Sequence, residues 1–196
     1  MARRSNSATI ADVAARAGVS PATVSRVMNG RFVGKPEIAE RVRAAARDLA
    51  YSPSHLARSL ALGQTKAVAF VVPDLSNPAF QAVLSSLSKT AARDGYRVLV
   101  ADSAESPDDE PLLAEEIRRR CDAIVLCAPR MQDDRLEELA DGLQPLVLIN
   151  RVNPAVAAPS LSIDYRTGIE HLATHLHSLG HRHLVYVEGP RTSMSN

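Results

Sequence analysis

The sequence contains no apolar run of the roughly 18 residues that a membrane span requires, and its first residues, MARRSNSATIADVAARAG, are basic without the apolar core of a secretory signal. These absences point to a chain that is neither exported nor membrane-spanning, with the cytoplasm and its nucleoid as the expected compartment. Cysteine is scarce, with only Cys121 and Cys127 present. They lie around an expected strand, where six residues extend roughly 20 Å, too far for a disulfide. Both therefore read as reduced core thiols. No P-loop occurs, and no G-x-G-x-x-G follows the first expected strand. His171 and His175 in EHLATHLH have an i, i+4 spacing that can hold a metal, but no Glu follows the first His as H-E-x-x-H requires. That pair reads as a solvated helix face, and no cofactor, metal or catalytic residue is expected.

What the chain does have is an uneven charge. Residues 1 to 62 hold ten Lys/Arg against four Asp/Glu, a net +6, whereas residues 63 to 196 hold thirteen against eighteen, a net −5. The overall +1 hides this division. A basic head on an acidic body suits a nucleic-acid reader, because phosphate neutralisation supplies the sequence-independent part of affinity. With 45% apolar residues in 196, a real core is available to one large domain or to a small one joined to a larger one.

The head reads as three short helices. Thr9 can cap IADVAARA, with Asp12 three residues on as a shorter capping-box partner, and Gly18 ends that helix. Ser20 is a good N-cap for the next, with Pro21 at its first position, where a missing N–H costs nothing. Val24, Val27 and Met28 recur at helical spacing and should face inward. Pro21, Ala22, Ser25, Arg26 and Asn29 are then left largely outward. Two helices joined by a glycine-containing turn make a helix-turn-helix, whose second helix fits the major groove. A third helix from about Pro36 carries Ile38, Val42, Ala45 and Leu49 as the stripe that would hold the other two.

The stretches TIADVAARAGVSPATVSRVMNG and VRAAARDLAYSPSHLARSLALGQT resemble the DNA-binding head and hinge of the lactose-repressor/purine-repressor family of bacterial transcription regulators. The resemblance implies that Pro21, Ala22 and Arg26 lie nearest the base edges. Thr9, Ser20, Thr23, Ser25 and Asn29 belong to the same DNA-facing set, at phosphates or at the edge of the site. A guanidinium can take guanine O6 and N7 together, so Arg26 is the candidate for direct readout, with a plain phosphate contact as the alternative. Pro21 and Ala22 offer only apolar contact where family members often carry a polar residue. Ile38-Ala39 stands where the family's third helix often begins Thr-Arg, and Lys35 is a partial substitute for the lost phosphate contacts.

In SPSHLARSLA, Ser54 can cap a helix of about two turns, which is marginal alone in water. The resemblance implies a hinge that orders when two copies meet over the centre of a palindromic operator. Leu60 would wedge into the minor groove, Leu56 would pack on its partner and Arg58 would serve phosphates. The other reading is an ordinary solvated linker with both leucines resting on the next domain.

From Lys66 the pattern changes to apolar runs, AVAFVV, YRVLVA, AIVLCA, PLVLIN, LSIDY and HLVYVEG, most of them separated by helical stretches. Such alternation argues for a mostly parallel sheet covered on both faces, with ligands gathered beyond the carboxyl ends of the strands. SNPAF, RDGYRVLVADS, IDYRTG and LGHRHLVYVEGP extend the family resemblance, and with it a periplasmic-binding-protein-like sensor domain. It implies a small-molecule effector of sugar or nucleobase type. Phe80 is either a stacking platform for that ligand or part of a helix's buried face. Asp74, Asn150 and Arg151 are hydrogen-bonding candidates, Ser193 and Ser195 match ligand positions loosely, and Asp164 is read as a hinge or switch residue.

The expected organisation is a helix-turn-helix domain over 1–51, a hinge and linker over 52–65, and an effector and dimerisation domain over 66–196 whose second lobe is incomplete by comparison with the family. A half-built lobe leaves an open sheet edge and exposed apolar surface, so aggregation is expected, and a stable ligand-binding monomer in sedimentation would contradict it. Alternatives from other classes are an enzyme on a doubly wound sheet or a free-standing small-molecule-binding protein. Neither accounts for the basic head. If Leu60 is the wedge, Leu60→Ala should reduce DNA bending, and an unchanged bend angle in a permuted-fragment assay would remove that assignment.

Overall fold

The computed structural model describes residues 8–52, 63–189 and 193. The expected hinge residues Ser54, Leu56, Arg58 and Leu60, together with Ser195, lie outside the described residues. Two compact units divide the chain, Met1–Gly63 and Gln64–Asn196, with the boundary inside the expected linker.

The first unit holds α1 (Ile10–Ala17), α2 (Pro21–Met28) and α3 (Pro36–Asp48). Thr9 and Asp12 form a capping box at the start of α1, and Gly18 ends it in the left-handed region at φ 63. The N–H of Gly18 returns to the carbonyls of Ala14 and Ala15, and that of Val19 to Ala14. These bonds use carbonyls the helix end would otherwise leave unpaired. Ser20 then caps α2 with Pro21 at the first position. Val13, Val24 and Val42, one from each helix, are fully buried, and small residues Ala14, Ala17, Ala39, Ala45 and Ala46 let the three backbones close around them. Each buried valine contributes roughly 1.5–3 kcal/mol. On α3 the stripe is rotated slightly from expectation, since Ala39 is buried and Ile38 is only half-buried. Arg41 Nε also donates to the Ala17 carbonyl at 2.9 Å, tying α3 to the end of α1.

The second unit runs β1 (Ala67–Val72), α4 (Pro78–Arg93), β2 (Arg97–Asp102), α5 (Glu110–Arg118), β3 (Ala123–Cys127), α6 (Asp133–Leu143), β4 (Leu146–Ile149), β5 (Ser160–Leu161) and α7 (Tyr165–Ser178). The strands form one sheet of order β2-β1-β3-β4-β5, and every pairing is parallel. Alternation along the strands sorts the core. Ala67, Ala69, Val71, Ile124, Leu126, Leu146 and Leu148 join the cluster that includes residues of α5 and α6. Phe70, Val72, Val125 and Cys127 face the other side with Phe80 of α4. Both faces are covered, as a parallel sheet requires. Cys121 and Cys127 are free and buried on opposite faces, and burial pushes both thiols up, Cys127 to about 11.

Two expected strands differ. LSIDY contributes only Leu161 to the short β5, and HLVYVEG forms no strand: residues 181–189 are exposed and irregular. A strand needs a neighbour in a sheet, and the sheet among the described residues ends at β5. Ile163, Ile169, Leu172, Leu179, Val185 and Val187 are all exposed.

A Cβ built on Gly18 meets nothing within 4 Å, so only the left-handed backbone opposes a side chain there. Gly18→Ala should therefore cost about 1–2 kcal/mol of head stability, read as a lower denaturant midpoint for the helical transition. An unchanged midpoint would contradict the turn described here.

Candidate nucleic-acid interface and effector-binding edge

Burial of Val24 and Val27 turns the opposite side of α2 to solvent. Pro21, Ala22 and Arg26 are exposed there, with Ser20 beside them, while Thr23, Ser25 and Asn29 are half-buried along the flank. Arg26 Nε donates to the Ala22 carbonyl at 3.3 Å, and among the described residues no ion pair holds its guanidinium. It is the long cation of that face. Ser20 Oγ accepts from Thr23 N at 3.2 Å and lies 3.0 Å from the Thr23 hydroxyl, so these two side chains brace the first turn. Asn29 Nδ2 donates to Ser25 Oγ at 3.3 Å. Thr9 is committed to its cap: its N–H and O–H both donate to Asp12 Oδ2 at 2.8 Å. Those bonds hold the Asp12 carboxyl below the usual carboxylate range.

The first turn of α2 contains no acidic residue. A phosphate approaching Ser20 to Thr23 therefore meets the positive end of the helix dipole without a local like charge. Lys35 caps α3 with backbone only, its side chain making no cap hydrogen bond.

At the carboxyl ends of β1 to β4 the loops carry the expected effector residues, mostly engaged with their own neighbours. Asp74 Oδ1 accepts from Ser76 N at 2.8 Å and Ser76 Oγ at 2.6 Å, bonds that hold its carboxyl low. Asp102 ties the same loop down, accepting from Leu75 N at 2.9 Å and Ala104 N at 2.8 Å. Phe80 is 8% exposed and packs with Phe70, Val72 and Val125. It therefore occupies the buried face of α4. Asn150 adopts φ 51, and its Oδ1 accepts from Ile163 N at 3.2 Å. Arg151 is buried, its guanidinium donating to Asp133 Oδ1 and to the Pro129 and Met131 carbonyls. It clamps the loop after β3 to α6. Asp164 caps α7 through Thr167 N at 3.0 Å. Ser193 is half-buried.

Three further charged groups hold turns together, Glu110 and Arg130 at this edge and Arg118 at the amino ends of β3 and β4. Glu110 is 1% exposed, and its carboxylate accepts from Arg130 N at 2.6 Å, Met131 N at 2.8 Å and Ser103 Oγ at 3.4 Å. It thus holds the β3 loop from beneath. Arg130 in turn pairs with Glu105 through both Nε, at 2.5 Å, and Nη2, at 2.9 Å. Arg118 caps the carbonyls of Cys121, Leu143 and Gln144. Nothing in local periodicity marks these as buried, because each contact crosses from one βα unit to another or closes the turn at its own helix end. Among the described residues no group of His, Cys, Asp and Glu could hold a metal, and no helix is long and apolar enough to cross a membrane.

Comparison with known proteins gives the same division. Residues 9–54 match the family described as bacterial regulatory proteins, lacI family, and residues 65–195 match periplasmic binding proteins and sugar binding domain of LacI family. The HTH-type transcriptional repressor CytR of Escherichia coli (strain K12) is 30% identical over 189 residues, which is 96% of this chain and 55% of CytR. The HTH-type transcriptional regulator GalR of the same strain is 35% identical over 181 residues, 92% of this chain and 53% of GalR. The chain thus spans about half the length of the curated relatives it matches. Among solved structures, the Lac repressor dimer bound to operator and the anti-inducer ONPF has the same fold, with a TM-score of 0.76 at 24% identity over 95% of this chain and 57% of that one.

Burial raises the Glu110 carboxyl above its ordinary 4.5, against the pull of the Met131 and Arg130 amides, the Ser103 hydroxyl and the Arg130 charge. A raised carboxyl pKa favours the folded state below the unfolded value and loses that contribution as pH rises through the folded one. Glu110→Gln keeps an acceptor for the two amides and stays neutral, so its stability should fall less than the wild type's as pH rises above about 4.5. Parallel pH profiles of denaturant midpoint would contradict this.

Proposed function

The chain belongs to the LacI family of bacterial regulatory proteins, and from that premise we propose that it is a sequence-specific DNA-binding transcription regulator, an effector-controlled repressor that binds palindromic operators as a dimer. The observation that carries this reading is the outward face of α2, where Arg26 stands exposed beside Pro21 and Ala22 on a head of net charge +6. The base-edge set is small. Arg26 supplies bidentate readout of a guanine, Pro21 and Ala22 supply apolar contact to a thymine methyl, and Ser20, Thr23, Ser25 and Asn29 address phosphates at the rim. With so few base-reading side chains, DNA shape and the hinge contribute the rest of the specificity.

The body supplies control. The loops at the carboxyl ends of the strands take a small effector of sugar or nucleobase type, in keeping with the sugar-binding description of the matching family and with the ligand position general to open α/β sheets. Asp74 and Asn150 contribute polar contacts there. Phe80 and Arg151 support the walls, the first by packing and the second by clamping the β3 loop. Effector acts by binding one arrangement of the body more tightly than another, which shifts the affinity for DNA by the same factor. The protein works in the cytoplasm, on the nucleoid, and catalyses no reaction; CytR and GalR are named as transcriptional regulators.

Selection of the chain and of Arg26→Ala in parallel against random duplex DNA tests the reading. The wild type should enrich an inverted repeat, and Arg26→Ala should lose preference at particular base pairs by about 1–3 kcal/mol. No enrichment by the wild type would overturn the function. Uniform weakening across all sequences would move Arg26 to a phosphate.

A further inference from the structure

The first residues of the second unit are held more tightly than entry into a strand requires. Asp122, in the turn between α5 and β3, accepts from Thr65 N at 2.6 Å and Thr65 Oγ1 at 2.7 Å through Oδ1, and from Lys66 N at 2.9 Å through Oδ2. Its own N–H donates to the Ala67 carbonyl at 2.8 Å. A second turn grips the same point from β2. Arg97 N donates to the Lys66 carbonyl at 2.9 Å, and Lys66 Nζ lies 4.4 Å from the centroid of the Tyr96 ring. Lys66 adopts φ 55, unusual for a residue with a side chain, so the chain bends sharply before β1 begins. Desolvation raises the Asp122 carboxyl, and the bonds from Thr65 and Lys66 outweigh it and bring the group below the ordinary range.

Local folding does not account for this arrangement. The bonds span 56 and 57 residues of sequence, and Thr65 and Lys66 are exposed, so their amides could have bonded to water at little cost. What the clamp does fix is where the chain enters the sheet, at Thr65 and Lys66, at the end of the expected linker over 52–65. Asp122 also sits immediately before β3, the strand whose far end runs into Ala128, Pro129 and Arg130 at the effector-binding edge. One strand thus has the linker anchor at its start and candidate ligand loops at its end.

We infer that Asp122 is a positioning residue for the linker, whose carboxylate sets the take-off point of the hinge and thereby the half-site spacing that a dimer accepts. This rests on the proposed function, since spacing has meaning only for two heads reading one duplex. Linked heads gain affinity only where the linkers let both engage together. A fixed anchor narrows the spacings that satisfy this condition, and a loosened one widens them. In Asp122→Asn one acceptor becomes an amide NH₂ facing the Lys66 N–H, so that bond is lost. Thr65→Val removes the hydroxyl donor with little change of shape, and Thr65→Ser keeps it.

The test uses the full chain on duplexes carrying two selected half-sites at the preferred spacing and with one or two base pairs added, together with a single half-site duplex. Amide hydrogen exchange at Thr65 and Lys66 is read in parallel. The wild type should lose about tenfold or more in affinity per misplaced spacing. Asp122→Asn and Thr65→Val should flatten this preference and speed exchange at the two amides, leave single half-site affinity unchanged, and Thr65→Ser should behave as wild type. Faster exchange with an unaltered spacing preference would overturn the positioning role while leaving the function intact. Unchanged exchange in Asp122→Asn would overturn the clamp itself. A wild type indifferent to spacing would overturn the two-head reading and this inference with it.

Discussion

Close packing of three valines, Val13, Val24 and Val42, determines what the head can do. With Val24 and Val27 committed to the core, α2 has one orientation about its axis, and the residues left outside follow from the 3.6-residue period. Arg26 is exposed because Val27 is not. The alanines around the valines matter as much, since larger side chains at Ala17, Ala39 or Ala46 would push the helices apart and the turn at Gly18 would no longer close. The outward face of α2 is in this way specified mainly by residues buried beneath it.

The second unit works by a different economy. Its sheet is covered on both faces, so only the strand ends are available for polar chemistry, and there most of the polar groups hold one another. Glu110 gathers the Arg130 and Met131 amides, Arg130 reaches Glu105, and Arg151 reaches Asp133 and two carbonyls. Buried charges of this kind are satisfied or they are costly. Together they make the loops after β2, β3 and β4 into a frame of fixed shape. At the opposite end of the sheet the Asp122 bonds do the corresponding work on the chain entering from the head.

How much of this could be read from the residues depended on whether the cause was local. The caps at Thr9, Gly18 and Ser20, the proline starts, the inward face of α2 and strands β1 to β4 all follow from nearest neighbours and periodicity, and they stand within a residue or two of expectation. Expectation failed where the cause was distant. HLVYVEG has a strand's composition but joins no sheet among the described residues, and Ala39 replaces Ile38 in the core because the stripe follows the placement of α1 and α2. Glu110 and Arg118 look like solvated charges until the loops they bond are placed, and Arg151, a hydrogen-bonding candidate for a ligand, is instead engaged by Asp133 and two carbonyls. For Phe80 two roles stood open, and burial against Phe70 and Val125 favours the packing one. The roles assigned to Ser54, Leu56, Arg58 and Leu60 rest on the family resemblance alone.

Whether the α2 face reads sequence or only senses charge is the question on which the account turns, and equilibrium affinity as a function of salt answers it most directly. The measurement compares the selected duplex with a scrambled duplex of the same length and composition. The account predicts that both affinities fall with salt, because both include phosphate contacts, while the selected duplex stays tighter by about 10³-fold or more throughout. Equal affinities with the same steep salt slope would contradict it, reducing the head to a cationic patch with no sequence to read.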